Sequence, residues 1–524
     1  MQTTDDKRLD ELFKREWNHD FEMSPEYATF MGEHKYNDRL SDISFESTKK
    51  YNDYEKDLLQ ELKGFDQDSL SETNKINLKL FLFKLQNSLN SFEFQEYLMP
   101  LNQMYGVQTS FSRMVLMSPF VKESDYQNYL SRLNAFPNYI DQTISLLDEG
   151  IKTGFTIPKI AMADVPNQIS RQLVDDYKKS TFYQPLNKEK LPIDDQLKNE
   201  IENAIQNKLY TSFEKLKKYL LDVYIPNCRD SLGMSELPKG KDFYNEKLSF
   251  FTTTKLTAEE IHDIGIKEVK RIFAEMMVLI KTLGFTDYSK FLDHLRTNPD
   301  FYFKDEKDLL IHYRDFAKRI DKELPAFFKV LPRLTYGVEK IPDHQAPSCP
   351  TAYYMGSDMD MTRAGIFYAN TYQLETRPKY EMEALTLHEA VPGHHLQISL
   401  ALELSDLPDF RKSARFIGYI EGWALYTEKL GAEMGFYTDP YARFGQLSFE
   451  IWRACRLVVD TGLHVFNWTR DKSIEYLQYY TGKNKDACAV EVDRYIVMPG
   501  QATSYKIGEL KILELRKKFE DVQG

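Results

Sequence analysis

Cysteine is scarce in this chain of 524 residues, which contains only four, at the widely separated positions Cys228, Cys349, Cys455 and Cys488. A disulfide-stapled domain needs many closely spaced cysteines, and a cysteine zinc knuckle needs two within a few residues. Both classes are therefore excluded, and the distribution fits a reducing compartment.

Long apolar runs are also missing. The longest unbroken ones, such as Met276 to Ile280, fall far short of the ~18 residues that a membrane helix needs. The chain starts with polar residues and lacks the apolar core of a secretory signal. We therefore expect a soluble, cytoplasmic protein; the alternative is an exported protein whose signal precedes this sequence.

Positive charge is in deficit, because 68 Lys and Arg residues face 80 Asp and Glu residues and leave a formal net charge of −12. A negative chain is repelled by phosphate backbones and by anionic membrane surfaces. We expect no nucleic-acid partner and no membrane partner.

The chain has no Gly/Ser-rich, Pro-rich or low-complexity linker and no internal repeat. Apolar residues recur every three or four positions over long segments, which is typical of helices. In 255–284, Thr257 and Glu260 form a capping-box pattern and Gly284 closes the helix. The sequence predicts a mainly α protein, one continuous body with an N-terminal helical lobe (1–240) and a catalytic lobe (241–524).

Strand character occurs at 364–370, a short apolar and aromatic run that follows a polar loop. It lies just before the densest polar cluster of the sequence. We interpret it as a candidate edge strand for binding an extended peptide.

The chemistry is concentrated around four of the ten histidines, which fall within 77 residues at His388, His394, His395 and His464. The segment runs His388-Glu389-Ala-Val-Pro-Gly-His394-His395. Zinc hydrolases need neutral imidazoles for the metal and a carboxylate beside the water that it activates. The familiar spacing His-Glu-x-x-His is absent.

A continuous helix would not bring these histidines together. At ~100° per residue, position 394 lies about 240° round from 388, and position 395 lies ~10 Å further along. Pro392 cannot donate a backbone hydrogen bond and Gly393 tolerates unusual dihedral angles, so we predict an interrupted helix. If the interruption takes two residues out of the helical repeat, His394 occupies the place of the second ligand. If it takes out three, His395 occupies that place. The alternative is a helix that ends at Val391, with the His pair in a solvated turn.

Two carboxylates downstream complete the pattern. Glu421 and Glu428 are seven residues apart, which places them about 20° off one helical stripe. One can bind the metal while the other orients a ligand. The alternative is a pair of exposed glutamates on a charged helix face. Gly422 would let this helix approach another closely.

Four motifs in this order resemble one family of largely bacterial proteins, the domain-of-unknown-function 885 family. They are His-Glu-Ala-Val-Pro-Gly-His-His from His388, Glu-Gly-Trp-Ala-Leu-Tyr-Thr-Glu from Glu421, Asp460-Thr-Gly-Leu-His464, and Pro-Gly-Gln-Ala-Thr-Ser-Tyr505-Lys-Ile-Gly. The resemblance spans nearly the whole chain, with its specific motifs after residue 350.

That family is similar to helical zinc peptidases of the thimet oligopeptidase and carboxypeptidase Taq type. The similarity implies a zincin-like (gluzincin) fold with a small antiparallel sheet beside the active-site helix. It also implies that Glu421 is the third ligand, that Glu428 supports the site, and that Tyr505 donates to the oxyanion. The wider His spacing departs from these peptidases, although dipeptidyl peptidase III shows that an enlarged loop can bind zinc.

The expected function is zinc-dependent hydrolysis of a peptide or small amide, with one Zn²⁺ per chain on His388, His394 and Glu421. Glu389 is the expected general base toward the metal-activated water. Tyr505, with His464 as a further candidate, is expected to stabilise the oxyanion. Two alternatives remain: a non-catalytic scaffold that binds metal or peptide, and a metal hydrolase for non-peptide amides or esters.

Overall fold

The computed structural model describes residues 3–343, 346–358 and 361–523. It is mainly helical, in agreement with the predicted fold class. In chain order the helices are α1 (Thr4–Met23), α2 (Pro25–Phe30), α3 (Phe45–Lys63), α4 (Glu72–Glu93), α5 (Val107–Met117), α6 (Glu123–Thr153), α7 (Lys159–Met162), α8 (Val165–Gln172), α9 (Asp195–Ala204), α10 (Thr211–Tyr219), α11 (Gly240–Thr252), α12 (Ala258–Thr282), α13 (Tyr288–Thr297), α14 (Glu306–Phe327), α15 (Met382–Glu389), α16 (His394–Glu403), α17 (Asp409–Ser413), α18 (Ile417–Glu433), α19 (Pro440–His464), α20 (Arg470–Thr481), α21 (Lys485–Val497) and α22 (Ser504–Gln523).

The chain forms two compact units. The first contains the residues up to Phe243 together with Leu407–Ser413, and the second contains Tyr244–Asp406 and everything from Ala414 onward. The short helix α17 belongs to the first unit because the ring of Phe410 packs against Phe13 and Phe81, with centroids 4.8 and 5.0 Å apart. The chain therefore leaves the second unit after α16 and returns to it before α18.

Helix α12 begins as its sequence predicts. The Thr257 side chain accepts a hydrogen bond from the backbone of Glu260, whose carboxylate accepts one from the backbone of Thr257. The helix ends at Thr282, and Gly284 follows with a φ of +87°, which a residue without a Cβ adopts at little cost. Apolar residues at helical spacing, among them Phe444, Leu447 and Ile451, also lie on α19 and are buried there.

A three-stranded sheet lies in the second unit, formed by β1 (Tyr336–Lys340), β2 (Ala352–Met355) and β3 (Gly365–Ala369) in the order β1-β3-β2. β3 pairs in parallel with β1 and in antiparallel orientation with β2. The prediction of an antiparallel sheet was wrong, because the sheet is mixed. The prediction that β3 is an edge strand was also wrong, because hydrogen bonds to a neighbour occupy both of its sides.

The core of the second unit joins this sheet to the helix that carries His388. Phe367 of β3 is buried against Tyr313 of α14, with ring centroids 5.0 Å apart, and Leu387 of α15 is fully buried in the same cluster. The apolar cluster thereby fixes α15 against the sheet. None of the helices in the described ranges is long and apolar enough to cross a membrane.

Candidate metal centre

The helix that carries His388 is interrupted directly after Glu389. The N–H of Ala390 makes the last helical hydrogen bond, to Thr386, and a new helix starts at His394. Gly393 lies so close to the end of α15 that a Cβ there would be 1.9 Å from the carbonyl oxygen of His388. Only glycine fits this turn, and α15 and α16 are separate helices joined by a tight four-residue connection.

The interruption brings His388 and His394 together. Their rings lie 4.8 Å apart between centroids and are nearly perpendicular, at 86°. Nε2 of His388 is 3.7 Å and Nε2 of His394 is 3.6 Å from the same carboxylate oxygen, Oε2 of Glu421. The three candidate ligand atoms all lie within 4.8 Å of one another. The predicted ligand residues therefore converge on one point.

His395 faces away from this cluster. Its Nδ1 lies 2.9 Å from the hydroxyl of Tyr354, and its Nε2 lies 3.2 Å from the carbonyl oxygen of Leu334. Burial lowers the pKa of His395 to about 4. Of the two histidines that the sequence left open as second ligand, His394 is the one that lies beside Glu421.

Glu428 orients the ring of His388. Nδ1 of His388 donates a hydrogen bond to Oε1 of Glu428 at 2.7 Å, so that Nε2 faces Glu421. The Glu428 side chain is fully buried, and a nitrogen of Arg453 lies 3.3 Å from the same oxygen. A carboxylate on the far nitrogen of a metal-binding histidine fixes the ring and increases its basicity. The position of Glu428 suits this role.

Helix α18, which carries both glutamates, is held close to α15 and α22. The hydroxyl of Thr427 donates to the carbonyl of Leu387 at 2.9 Å, and the indole N–H of Trp423 donates to the carbonyl of Pro392 at 2.8 Å. Gly422 meets Gly508 of α22 so closely that a Cβ on Gly422 would lie 2.5 Å from the Gly508 backbone. The sequence prediction of a close helix approach at Gly422 is confirmed.

Glu389 lies beside the cluster with an unusually basic carboxylate. Burial raises its pKa to about 7, although the nearby charge of His388 and the backbone N–H of Tyr354 lower it. Only 8 % of the residue is exposed. A carboxylate with a pKa near 7 is suited to accept and return a proton at neutral pH.

The three candidate ligands are strongly coupled electrostatically. Burial lowers the pKa of His388, but the carboxylates of Glu421 and Glu428 outweigh it and raise the pKa to about 9. Burial lowers the pKa of His394 to about 4, which leaves a neutral imidazole. Burial raises the pKa of Glu421, but the hydrogen bond to His388 and the charges of both histidines bring it down to about 2. The cluster therefore offers a neutral imidazole and an ionised carboxylate at neutral pH.

Tyr505 and His464 lie in different surroundings. Tyr505 is half-buried at the start of α22, and the guanidinium of Arg456 stacks on its ring at 4.5 Å. The charge of Arg456 also lowers the pKa of Glu421. His464 is fully buried, its Nε2 lies 3.0 Å from the carbonyl oxygen of Tyr495, and its ring packs on Tyr244.

A protein-family model matches almost the entire chain. The family model described as "Bacterial protein of unknown function (DUF885)" matches residues 25–524. The chain belongs to the DUF885 family. The comparison with curated proteins gives no match for this DUF885 protein.

Two solved structures are similar to this DUF885 chain. A presumed lipoprotein from Colwellia psychrerythraea has a TM-score of 0.89 at 25% sequence identity, and the match covers 98% of this chain and 92% of that one. A presumed lipoprotein of unknown function from Shewanella oneidensis has a TM-score of 0.70 at 17% identity, with 98% and 94% covered. The second likeness concerns the fold alone.

Sequence reasoning missed Arg453 at this DUF885 site. Arg453 and Arg456 lie one turn apart on α19, and both are buried beside the cluster. Arg456 and Asp460 are four residues apart on α19, a spacing typical of an intrahelical ion pair, but Arg456 pairs with Glu491 at 3.4 Å. Asp460 accepts instead from the hydroxyl of Tyr244 at 2.6 Å. Two arginines on a helix that is buried on nearly all sides were the available indication of a functional role.

Proposed function

We propose that the protein is a zinc-dependent metallopeptidase with a zincin-like (gluzincin) fold, in which His388, His394 and Glu421 bind one Zn²⁺ per chain. The observation that carries the proposal is the convergence of these three side chains beside the buried carboxylate of Glu389. A binding scaffold would need the three ligands but would have no use for Glu389.

The donor set fits zinc. Two imidazole nitrogens and one carboxylate oxygen are a common ligand set of catalytic zinc, which binds them at about 2.0–2.2 Å in tetrahedral geometry. Ligand atoms around such an ion are about 3.4 Å from one another, close to the 3.6 and 3.7 Å separations from Glu421 to the two histidines. When bound, the ion supplies a Lewis acid that makes water a nucleophile near neutral pH.

Glu389 moves the proton in the proposed reaction. Its carboxylate accepts a proton from the attacking water and returns it to the nitrogen of the leaving amine. The backbone N–H of Tyr354 and the charge of Arg453 both stabilise the ionised form, while burial favours the protonated form. This balance lets one group act first as a base and then as an acid.

Tyr505 is the proposed donor to the oxyanion. Its α22 is packed tightly against α18, which carries Glu421, through the contact between Gly508 and Gly422. One such donor contributes about 2.7–4 kcal/mol to transition-state stabilisation in acyl transfer. His464 is the weaker candidate, because it is fully buried and one of its nitrogens already lies at the carbonyl of Tyr495.

We also infer that the protein is exported rather than cytoplasmic. The support is the description of the Colwellia psychrerythraea relative, which covers nearly the same length of chain, as a presumed lipoprotein. Fractionation of the native cells tests this inference, which predicts that the protein is found outside the cytoplasmic fraction.

The test of the proposed function combines metal analysis with digestion of a mixed peptide library. Protein purified without chelators should contain about one zinc per chain and should cleave library peptides, and a chelator should abolish cleavage. Glu389→Gln should retain the zinc but lose at least about 100-fold in turnover. Glu433→Gln is the matched control, because Glu433 lies on α18 and is 49% exposed.

Three results would contradict the proposal: full activity without metal, unchanged turnover in Glu389→Gln, or zinc-loaded protein that cleaves no peptide. A parallel panel of simple esters and amides would then distinguish a non-peptide hydrolase from a scaffold without turnover.

A further inference from the structure

Two buried guanidinium groups near the candidate metal centre share a single carboxylate. Arg456 of α19 and Arg494 of α21 each lie 3.4 Å from the same oxygen, Oε2 of Glu491. Their side chains are only 6% and 18% exposed. The charges of both arginines lower the pKa of Glu491, which is therefore ionised. Two positive charges thus face one negative charge, and a buried charge without a counterion is costly.

Several N–H groups of this pair have no acceptor. Nη1 of Arg456 and Nε of Arg494 are buried and have no hydrogen-bond partner in the part of the chain that the structure describes. Other donors of the pair bind within the protein: Nε of Arg456 donates to the hydroxyl of Tyr495 at 3.1 Å, and Nη1 of Arg494 donates to Gln501 at 3.1 Å. Both guanidinium groups are therefore held in place while part of each lacks an acceptor among the described residues.

The surroundings add further positive charge. The ammonium group of Lys483 lies 4.4 Å from the ring centre of Trp452, on which Arg456 also stacks at 4.6 Å. The charge of Lys483 also lowers the pKa of Glu491. Glu491 is the carboxylate that both arginines contact, while the charges of Arg456 and Arg494 also act on Glu421 and Asp460 respectively. The N–H groups for which the described ranges offer no acceptor are therefore the feature that favours a further carboxylate here. Guanidinium groups bind planar carboxylates through paired, charge-assisted hydrogen bonds.

The pair lies next to the proposed reaction site. The guanidinium of Arg456 stacks on the ring of Tyr505, and its charge acts on Glu421. A carboxylate held by Arg456 would therefore lie near the proposed oxyanion donor, Tyr505.

We propose that Arg456 and Arg494 form the subsite for the C-terminal carboxylate of the substrate, so that the protein acts as an exopeptidase at the C-terminus of peptides. The inference rests on the proposed peptidase function and specifies its substrate class. An acidic side chain offers the same carboxylate chemistry, and the test distinguishes the two sources.

The experiment uses the full-length, zinc-loaded protein and three matched peptide libraries: one with free C-termini, one amidated, and one amidated with Glu as the last residue. We expect cleavage near the free C-terminus, with kcat/KM at least about 30-fold above that for the amidated library. Equal cleavage of free and amidated peptides would overturn the proposal. Preference for the amidated Glu library would assign the subsite to an acidic side chain and would overturn the exopeptidase assignment.

Variants test the two residues directly. Arg456→Gln and Arg494→Gln should reduce the preference for free C-termini to within about threefold, mainly through KM, and Arg494→Lys should retain part of it. The control is Arg319→Gln, which removes a cation that is 52% exposed on α14. Unchanged preference in both Gln variants overturns the assignment. Melting curves identify a variant that fails to fold, and the other arginine then decides the result.

A binding measurement separates this inference from the proposed function. Thermal stabilisation of zinc-free protein by acetyl-alanyl-phenylalanine is compared with that by acetyl-alanyl-phenylalaninamide. If zinc-loaded protein cleaves no library but the acid alone stabilises wild type and not Arg494→Gln, the peptidase proposal fails and the carboxylate subsite stands. If neither compound stabilises the protein and no library is cleaved, both fail.

Discussion

Replacing Glu428 by Gln should weaken zinc binding without changing the shape of the site. The carboxylate is fully buried and accepts a 2.7 Å hydrogen bond from Nδ1 of His388. Gln preserves the volume and an oxygen acceptor but removes the negative charge. Charge-assisted bonds of this kind are about twice as strong as neutral ones.

The expected loss of zinc affinity follows from the role of a carboxylate that hydrogen-bonds a metal-binding histidine. Removing the group that orients a metal-binding histidine typically lowers metal affinity by about 10–100-fold, which equals about 1.4–2.7 kcal/mol. Arg453, whose nitrogen is 3.3 Å from Glu428, loses its counterion in the same variant. We therefore also expect a lower melting temperature before zinc is added.

Competition for zinc between the full-length protein and a coloured chelator measures the affinity. Glu433→Gln is the control, because it removes a half-exposed charge from the same helix. A dissociation constant within twofold of wild type would refute the role of Glu428, even if the variant melted at a lower temperature. A lower affinity with an unchanged melting temperature would assign the whole effect to the metal site.

Three further predictions concern other parts of the second unit. Burial raises the pKa of Asp460 from 3.8 to about 7, so the folded protein binds this proton more tightly than the unfolded chain. Its contribution to the free energy of unfolding should therefore fall by about 2–3 kcal/mol between pH 5 and pH 8, and melting curves of Asp460→Asn should lack this part of the pH dependence. Gly508→Ala should destabilise the protein by at least about 1–3 kcal/mol in denaturant titrations, because the added Cβ would lie 1.9 Å from the backbone oxygen of Gly418; stability equal to wild type would contradict the close contact. His394→Ala should lose zinc by metal analysis, whereas His395→Ala should retain it and melt at a lower temperature; the reverse result would move the second ligand by one position.

Local features of the sequence were sufficient to predict the helix break. Pro392 and Gly393 act on their immediate neighbours, and the structure ends α15 at Glu389 and begins α16 at His394. The choice between His394 and His395 needed the fold, because His395 binds Tyr354 and Leu334, which are 41 and 61 residues away in sequence. Such partners follow from tertiary packing and leave no local pattern.

The sheet was mispredicted and Arg453 was missed for the same reason. β3 pairs in parallel with β1, about 30 positions earlier, and a parallel partner leaves no turn motif beside the strand. Helix α19 is buried on nearly all sides between Ala442 and His464. When no face of a helix is exposed to solvent, the spacing of its polar residues does not predict which of them form ion pairs with one another. Arg456 forms its ion pair with Glu491 of α21 and not with a residue of α19.

The excursion of the chain at Leu407–Ser413 separates the two halves of the candidate ligand set. His394 precedes it and Glu421 follows it, while Phe410 lies against Phe13 and Phe81 among the N-terminal helices. In a fragment that begins at Tyr244, the ring of Phe410 would have neither Phe13 nor Phe81 to pack against. The segment between His394 and Glu421 would then no longer be fixed at Phe410. We therefore expect a fragment that begins at Tyr244 to lose the proposed zinc site, and we expect addition of the N-terminal half in trans to restore it.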